Sequence, residues 1–382
     1  MTVIYGILLV LLLVPLAIVT TDCISNKWNN LKRFHIGRWQ SQEQWQQAVK
    51  HTACKWLAKT PVVKKTDQNS HLLLDWIRKN NYSSTIQSWQ KAGLILGLHS
   101  AKDQKCRDAI TDWKNTAFDG SGMWKEPVAK VDSAMLAYAA LKTESDPNRI
   151  RTAMDWTVKV LEENLCEDGM ISYSQGKHSK IRFVDTLGMV CPFLAMYGKT
   201  YKDDRYVQLA YHQLERYRLM GLYPGTQLPC HAVSTEENLP LGIFGWGRGT
   251  IWYLLALADT YAELPEDARK QNVQDWIASA AKSCLKYQKE DGGFHMILQG
   301  GGQYDSSVTA GMAFFYREAA RILQMEEYDV VADKCIARLM KVTMRNGAVD
   351  QCQGDTHGIG IFSQVYDVMP FVQGLVLRAL KP

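Results

Sequence analysis

Two aspartates in apolar surroundings have the residue type and setting that acid–base chemistry needs. Asp185 lies in Ile181-Arg182-Phe183-Val184-Asp185-Thr186-Leu187-Gly188-Met189, and Asp132 in Val131-Asp132-Ser133-Ala134-Met135. Each precedes an apolar helical pattern, and aspartate is a favoured N-cap, so each carboxylate could serve as a cap. The two roles are compatible. A carboxyl at a pocket-facing helix start, flanked by Phe183 and Met189, feels desolvation that raises its pKa and helix-end polarity that lowers it. A general acid needs the first effect to dominate.

Trp246-Gly247-Arg248-Gly249-Thr250-Ile251-Trp252 sets two indoles and a guanidinium between glycines, just before an apolar helix. A structural turn is one reading. The functional reading assigns sugar stacking to Trp246 and Trp252, and binding of a planar carboxylate to Arg248. His231, in Pro229-Cys230-His231, and His357, in Gly354-Asp355-Thr356-His357-Gly358, sit in loops between helices. A loop histidine is usually just solvated, but each of these could hydrogen-bond a sugar hydroxyl or hold a catalytic water.

The elements that must position these groups are helical. Apolar residues recur at helical spacing, as in Ala134, Leu136, Ala137, Ala140 and Leu141, and again in Ile251, Leu254, Leu255 and Ala258, while alternating strand patterns are scarce. Turn-forming clusters at Asp119-Gly120, Asp168-Gly169, Pro224-Gly225, Asp291-Gly292-Gly293 and Asn346-Gly347 recur about every 50–65 residues, room for two helices and their loops. Six such hairpins fill the chain after its first forty residues. An open solenoid has the same period, but a closed (α/α)6 barrel, a six-hairpin toroid, also explains the glycine- and aromatic-rich loops as the lining of one central pocket. In a toroid, acidic helix starts in consecutive hairpins point to the same end, which brings Asp132 and Asp185 together without sequence proximity.

Composition sets outer bounds. The chain has 382 residues, 46% hydrophobic and 22% charged, enough for one large core and unlike a disordered chain. Its formal net charge of +5 is spread along the sequence, which fits an anionic partner such as a uronic acid and gives no footprint for nucleic acid. Nine cysteines, from Cys23 to Cys352, show no C-x-x-C pair, so no metal site is expected. Several sit inside apolar helical patterns and read as reduced, buried thiols of a reducing compartment.

From Val3 to Val19 the sequence is almost unbroken apolar, interrupted only by Tyr5, Gly6 and Pro15, near the length that spans a hydrocarbon core. No Lys or Arg precedes this run, and Thr20-Thr21-Asp22-Cys23 makes a poor cleavage site, so an uncleaved anchor is favoured over a signal peptide. Lys27, Lys32, Arg33 and Arg38 follow it; by the positive-inside rule the catalytic domain then faces the cytoplasm, an exported domain being the alternative. The expected organisation is an anchor over 1–22, a linker over 23–40 and a catalytic domain over 41–382.

The string around Asp185 with Pro192-Phe193-Leu194-Ala195, and Trp246-Gly247-Arg248-Gly249 with Trp252, Ala256-Leu257 and Leu264-Pro265, resembles glycoside hydrolase families 88 and 105, the unsaturated glucuronyl and rhamnogalacturonyl hydrolases. The resemblance runs from about Gln40 to Pro382 and includes Tyr304-Asp305-Ser306-Ser307 and Gly358-Ile359-Gly360, similar to pocket-lining segments of those families. It implies an all-α (α/α)6 barrel that hydrates a C4=C5 double bond in an unsaturated uronyl residue, with Asp185 as general acid and base, Asp132 assisting and no cofactor. Gly188 and Thr250-Ile251 depart from the family pattern and bear on the substrate more than on the chemistry. Two other readings stay open: a conventional glycosidase using Asp132 and Asp185 at the anomeric carbon, and a non-catalytic glycan-binding or assembly protein.

Overall fold

Runs of small and apolar residues make helices buried on every side, and runs with one apolar stripe make helices with one wet face; both kinds alternate along this chain. The computed structural model describes residues 2–61, 73, 77, 87–126, 128–176 and 179–381. After α1 (Thr2–Lys32) and α2 (Gln42–Ala58), α3 (Ser88–Ser100) precedes α4 (Gln104–Ala117), and α5 (Ser133–Lys142) precedes α6 (Arg151–Glu162). Then α7 (Val184–Tyr201) leads to α8 (Asp204–Gly221), α9 (Gly247–Glu263) to α10 (Ala268–Leu285), α11 (Ser306–Leu323) to α12 (Glu326–Lys341), and α13 (Pro370–Ala379) follows. Helix α9 is buried at every residue from Gly247 to Thr260. By contrast α6 buries Ala153, Met154, Thr157, Val158, Val160 and Leu161 and leaves its other face wet.

The more deeply buried helices form the inner ring of an (α/α)6 toroid. Helices α3, α5, α7, α9, α11 and α13 pack each on the next, and α13 returns to α3. The sixth outer helix is α2, which packs on α13 and α3, so the last hairpin joins the two ends of the barrel. This seam is closed by glycines. A Cβ on Gly374 would overlap the carbonyl of Gly93, and one on Gly97 would overlap the backbone of Gly374, so the two helices meet backbone to backbone.

Asp103, Asp203 and Asp267 cap the outer helices α4, α8 and α10 by accepting from backbone N–H groups in their first turns. The connections that follow α4, α6, α8, α10 and α12 each turn on a glycine, Gly122, Gly169, Gly225, Gly292 and Gly347, at φ between 73° and 87°. All these loops therefore lie at the end of the ring where the inner helices begin. Strands are short: β1 (Ile181–Phe183), β2 (Ala232–Ser234) and β3 (Leu239–Leu241) form one antiparallel sheet, and β4 (Cys352–Gln353) pairs with β5 (Tyr366–Asp367).

Helix α1 is long and apolar enough to cross a membrane, a test that a signal sequence also meets. Pro15 is accommodated inside it. Helix α1 runs on without a break to Lys32, into the segment expected as a linker over 23–40; the chain then docks on the barrel, where the Gly37 amide donates to the Thr343 carbonyl at 2.9 Å.

Candidate active site

The approach of Asp185 to His231 follows from strand pairing. β1 and β2 pair with Phe183 opposite Ala232, and the Val184 N–H at the start of α7 donates to the His231 carbonyl at 3.0 Å. The next residue is Asp185, whose Oδ2 lies 3.7 Å from His231 Nε2. Neither aspartate is the side-chain cap that its position allows. Phe183, not Asp185, is the N-cap residue of α7, and Asp132 holds the N-cap position of α5 in the αR region with no cap hydrogen bond. Inner helices α3, α5, α7 and α9 all start without a side-chain cap.

A cavity of about 640 Å³ opens at this end of the ring, lined by Gln87, Trp89, Tyr173, Ser174, Phe183, Asp185, Met189, His231, Trp246, Arg248, Trp252, Asp355, Thr356, His357, Gly358 and Ile359. Asp185 Oδ2 is buried and has no hydrogen-bond partner among the described residues. Burial pushes its carboxyl up to about 7; the Arg248 charge and its own backbone N–H oppose the rise, and the Asp355 charge adds to it. Desolvation and the Arg248 charge depress the His231 imidazole to about 4, so the ring is neutral near pH 7. The Gly360 N–H donates to His231 Nδ1 at 3.4 Å. The proton of the neutral ring is thereby assigned to Nε2, on the side of Asp185.

Asp132 does not border the cavity. It is 7% exposed, and burial raises its carboxyl. Its link to the cavity is Tyr173, whose hydroxyl donates to Asp132 Oδ2 at 3.5 Å. Tyr173 feels three carboxylates at once: its hydroxyl is raised first by burial, then by the charges of Asp132, Asp185 and Asp355. Asp355 is exposed to the cavity but otherwise enclosed by protein; that enclosure raises its carboxyl against the Arg248 charge and a hydrogen bond from Gln87.

The Trp246 string reaches the cavity, with a correction to how its residues are used. Trp246 is 1% exposed, packed against His231 at 4.6 Å and Phe362 at 5.2 Å between ring centroids. Trp252, 2% exposed, stacks on Phe371 at 4.8 Å. Neither indole is a bare platform. Arg248, 2% exposed, donates from its two terminal nitrogens to the carbonyls of Gln353 and Gly354, so part of its fork is already spent on the loop after β4. Its charge still faces the cavity. Gly188 has a local reason: a Cβ there would meet the Trp252 ring at 2.7 Å.

The Tyr304–Ser307 segment is a second correction. Asp305, fully buried, caps α11 by accepting from Ser307 N at 2.7 Å and also accepts from Gln353 N at 3.2 Å, and none of Tyr304 to Ser307 borders the cavity. Sequence reasoning gave no role to Tyr173, Asp355, Gln87 and Trp89. Asp355 stood in the glycine-rich string with His357 and could have been singled out there; Tyr173 and Gln87 belong to connections without periodicity.

The family model for Glycosyl Hydrolase Family 88 matches residues 56–380. No curated protein matches the sequence. Among solved structures, a possible GH105 family member from Salmonella enterica is 19% identical over 87% of this chain and 92% of its own, with a TM-score of 0.71. A second possible GH105 member, from Klebsiella pneumoniae, is also 19% identical, over 89% and 92%, with a TM-score of 0.72. The unsaturated glucuronyl hydrolase of Bacillus sp. GL1 is 16% identical over 88% and 95%, with a TM-score of 0.64. At these identities the likeness is one of fold, that of the toroid described above. The family match spans nearly the whole barrel, and this chain therefore belongs to glycosyl hydrolase family 88 and is a glycoside hydrolase.

Proposed function

We propose that the protein hydrates the C4=C5 double bond of an unsaturated uronyl residue at the end of an oligosaccharide, with Asp185 as acid and then base. The observation that carries this reading is the buried, unpartnered Asp185 carboxyl, held near 7 at the cavity wall, where a protonated acid is available at neutral pH. A neighbouring solved structure whose name includes dGlcA-Glc-Rha-Glc lends a substrate class. The Arg248 charge and the uncapped starts of α3, α7 and α9 make the cavity favourable to a uronate.

In this reading Asp185 gives its proton to C4, the π bond breaks, and positive charge develops at C5 and the ring oxygen. Water adds at C5 and returns a proton to the Asp185 carboxylate. The hemiketal opens to a C5 ketone, and the hemiacetal left at C1 releases the aglycone. Neutral His231 donates through Nε2 toward Asp185 or the attacking water. Asp132 holds the Tyr173 hydroxyl at the edge of the cavity. Trp246 and Trp252 form rigid walls, and His357 contacts sugar hydroxyls from the loop.

The test is to offer lyase-generated unsaturated oligosaccharides and follow ultraviolet absorbance. Hydration destroys the chromophore. Release of sugar with the chromophore intact would identify direct attack at the anomeric carbon, a reading the retreat of Asp132 from the cavity makes less apt. For placement, α1 anchors the chain and the barrel faces the cytoplasm, by the basic residues that follow the apolar run.

A further inference from the structure

The β4–β5 hairpin separates the cavity from the N-terminal helix. Residues Asp355 to Ile359 of its loop form one wall of the cavity. Its base is gripped from the other side. Arg33, which follows α1, donates through Nε to Asp350 Oδ2 and through Nη2 to Asp350 Oδ1 at 3.0 Å, and Nη2 also reaches Asp367 Oδ1 at 3.3 Å. Asp350 lies just before β4, and Asp367 ends β5 opposite Cys352. One guanidinium thus bridges both arms of the hairpin, with the planar fork that suits two carboxylates.

The Asp350 side chain is 2% exposed, and among the described residues Arg33 is the cation that pairs with it. Its carbonyl accepts from Ser306 Oγ at 2.6 Å, and further along the loop the Gly360 N–H reaches His231. Arg248 holds the same hairpin from the cavity side through the Gln353 and Gly354 carbonyls. Without Arg33 the outer side would keep a buried carboxylate with no counter-charge, which favours movement of the hairpin towards water.

We infer that Arg33 is a positioning residue for the active site. By bridging Asp350 and Asp367 it holds the cavity wall that bears Asp355 and His357 in the substrate-ready place, which makes the turn that follows α1 a working part of the site. A wall that is ready only part of the time weakens apparent binding by that fraction, while saturating substrate selects the ready state. The signature is a raised KM with kcat nearly kept. Loss of folded protein would do the opposite.

The experiment uses the full chain in nanodiscs, comparing wild type with Arg33→Ala, Arg33→Lys and the neighbouring control Lys32→Ala. Hydrogen exchange of residues 354–365 is read by mass spectrometry, and kinetics are read with a lyase-generated unsaturated uronyl disaccharide. Arg33→Ala is expected to speed exchange across 354–365, leave α6 unchanged, and raise KM about tenfold with kcat within about twofold. Arg33→Lys should fall between, and Lys32→Ala should match wild type. Unchanged exchange over 354–365, or faster exchange throughout the barrel, overturns the inference. If Arg33→Ala does not fold, Arg33→Lys and Asp367→Asn decide, each keeping a cation on Asp350 while weakening the bridge; normal exchange in both would also overturn it. The kinetic arm rests on the proposed reaction and the exchange arm does not. A wild type inert on the disaccharide, with the exchange pattern as expected, would refute the reaction and leave the role of Arg33 standing.

Discussion

At Asp185 the burial that suits the carboxyl for proton donation also costs the fold. Its pKa is raised from 3.8 to about 7, so between those values the folded state binds a proton that the unfolded chain releases, and stability falls as pH rises through this window. At about 1.4 kcal/mol per unit the cost reaches at most about 4 kcal/mol above pH 7. Asp185→Asn removes the charge and keeps the shape. It is expected to raise the melting temperature at pH 8, with the gain shrinking toward pH 4, while lowering kcat about 10²–10⁴-fold. A variant that keeps more than about a tenth of the rate would show that Asp185 is not the acid. In the wild type, kcat/KM should fall as pH rises past about 7, because the proposed proton donor is lost there. His231 adds no limb of its own near neutrality, since it is neutral down to about 4.

The elements that hold this site were legible to different degrees. Recurring turn glycines and all-apolar stretches announced the helical pairs, because a helix buried on every side has to be apolar on every side. Beyond those glycines the loops before the inner helices have no periodicity to read, and they carry Tyr173 and Asp355 as well as the short strands that bring His231 beside Asp185. Seam glycines were equally silent in the sequence, since their reason is a neighbour far away in the chain. Gly374→Ala sets a methyl against the Gly93 carbonyl and should destabilise the barrel by about 1–3 kcal/mol in urea unfolding. Its activity per folded molecule should be nearly unchanged, because the seam between α3 and α13 does not carry Asp185 or His231.

For the whole molecule, the proposed orientation makes a prediction about redox state. Cys54 and Cys106, on α2 and α4, are both buried with their sulfurs 4.0 Å apart. A barrel in the cytoplasm keeps both as thiols, while an exported barrel would meet an oxidising compartment with two sulfurs already near contact. Alkylation of denatured protein from its native host, read by mass spectrometry, should label both cysteines. A Cys54–Cys106 crosslink would place the barrel outside. A compartment-sensitive reporter fused after Pro382 checks the same point independently, with cytoplasmic signal expected.

The sequence by itself determined the helical-pair period, the apolar N-terminal run and the two aspartates at inner-helix starts, because these depend on residue type and local spacing. Only the tertiary structure decided how the two carboxyls differ. Asp185 borders the cavity with an unpartnered oxygen, whereas Asp132 is set back behind Tyr173, and no local pattern distinguishes them. It also decided that Trp246 and Trp252 are enclosed walls, that Arg248 is part-spent on the β4 loop, and that Arg33 reaches Asp350 across 317 positions of sequence. Burial and counter-charge come from the packing of distant segments, and they set which of several similar residues can hold a proton where a substrate can reach it.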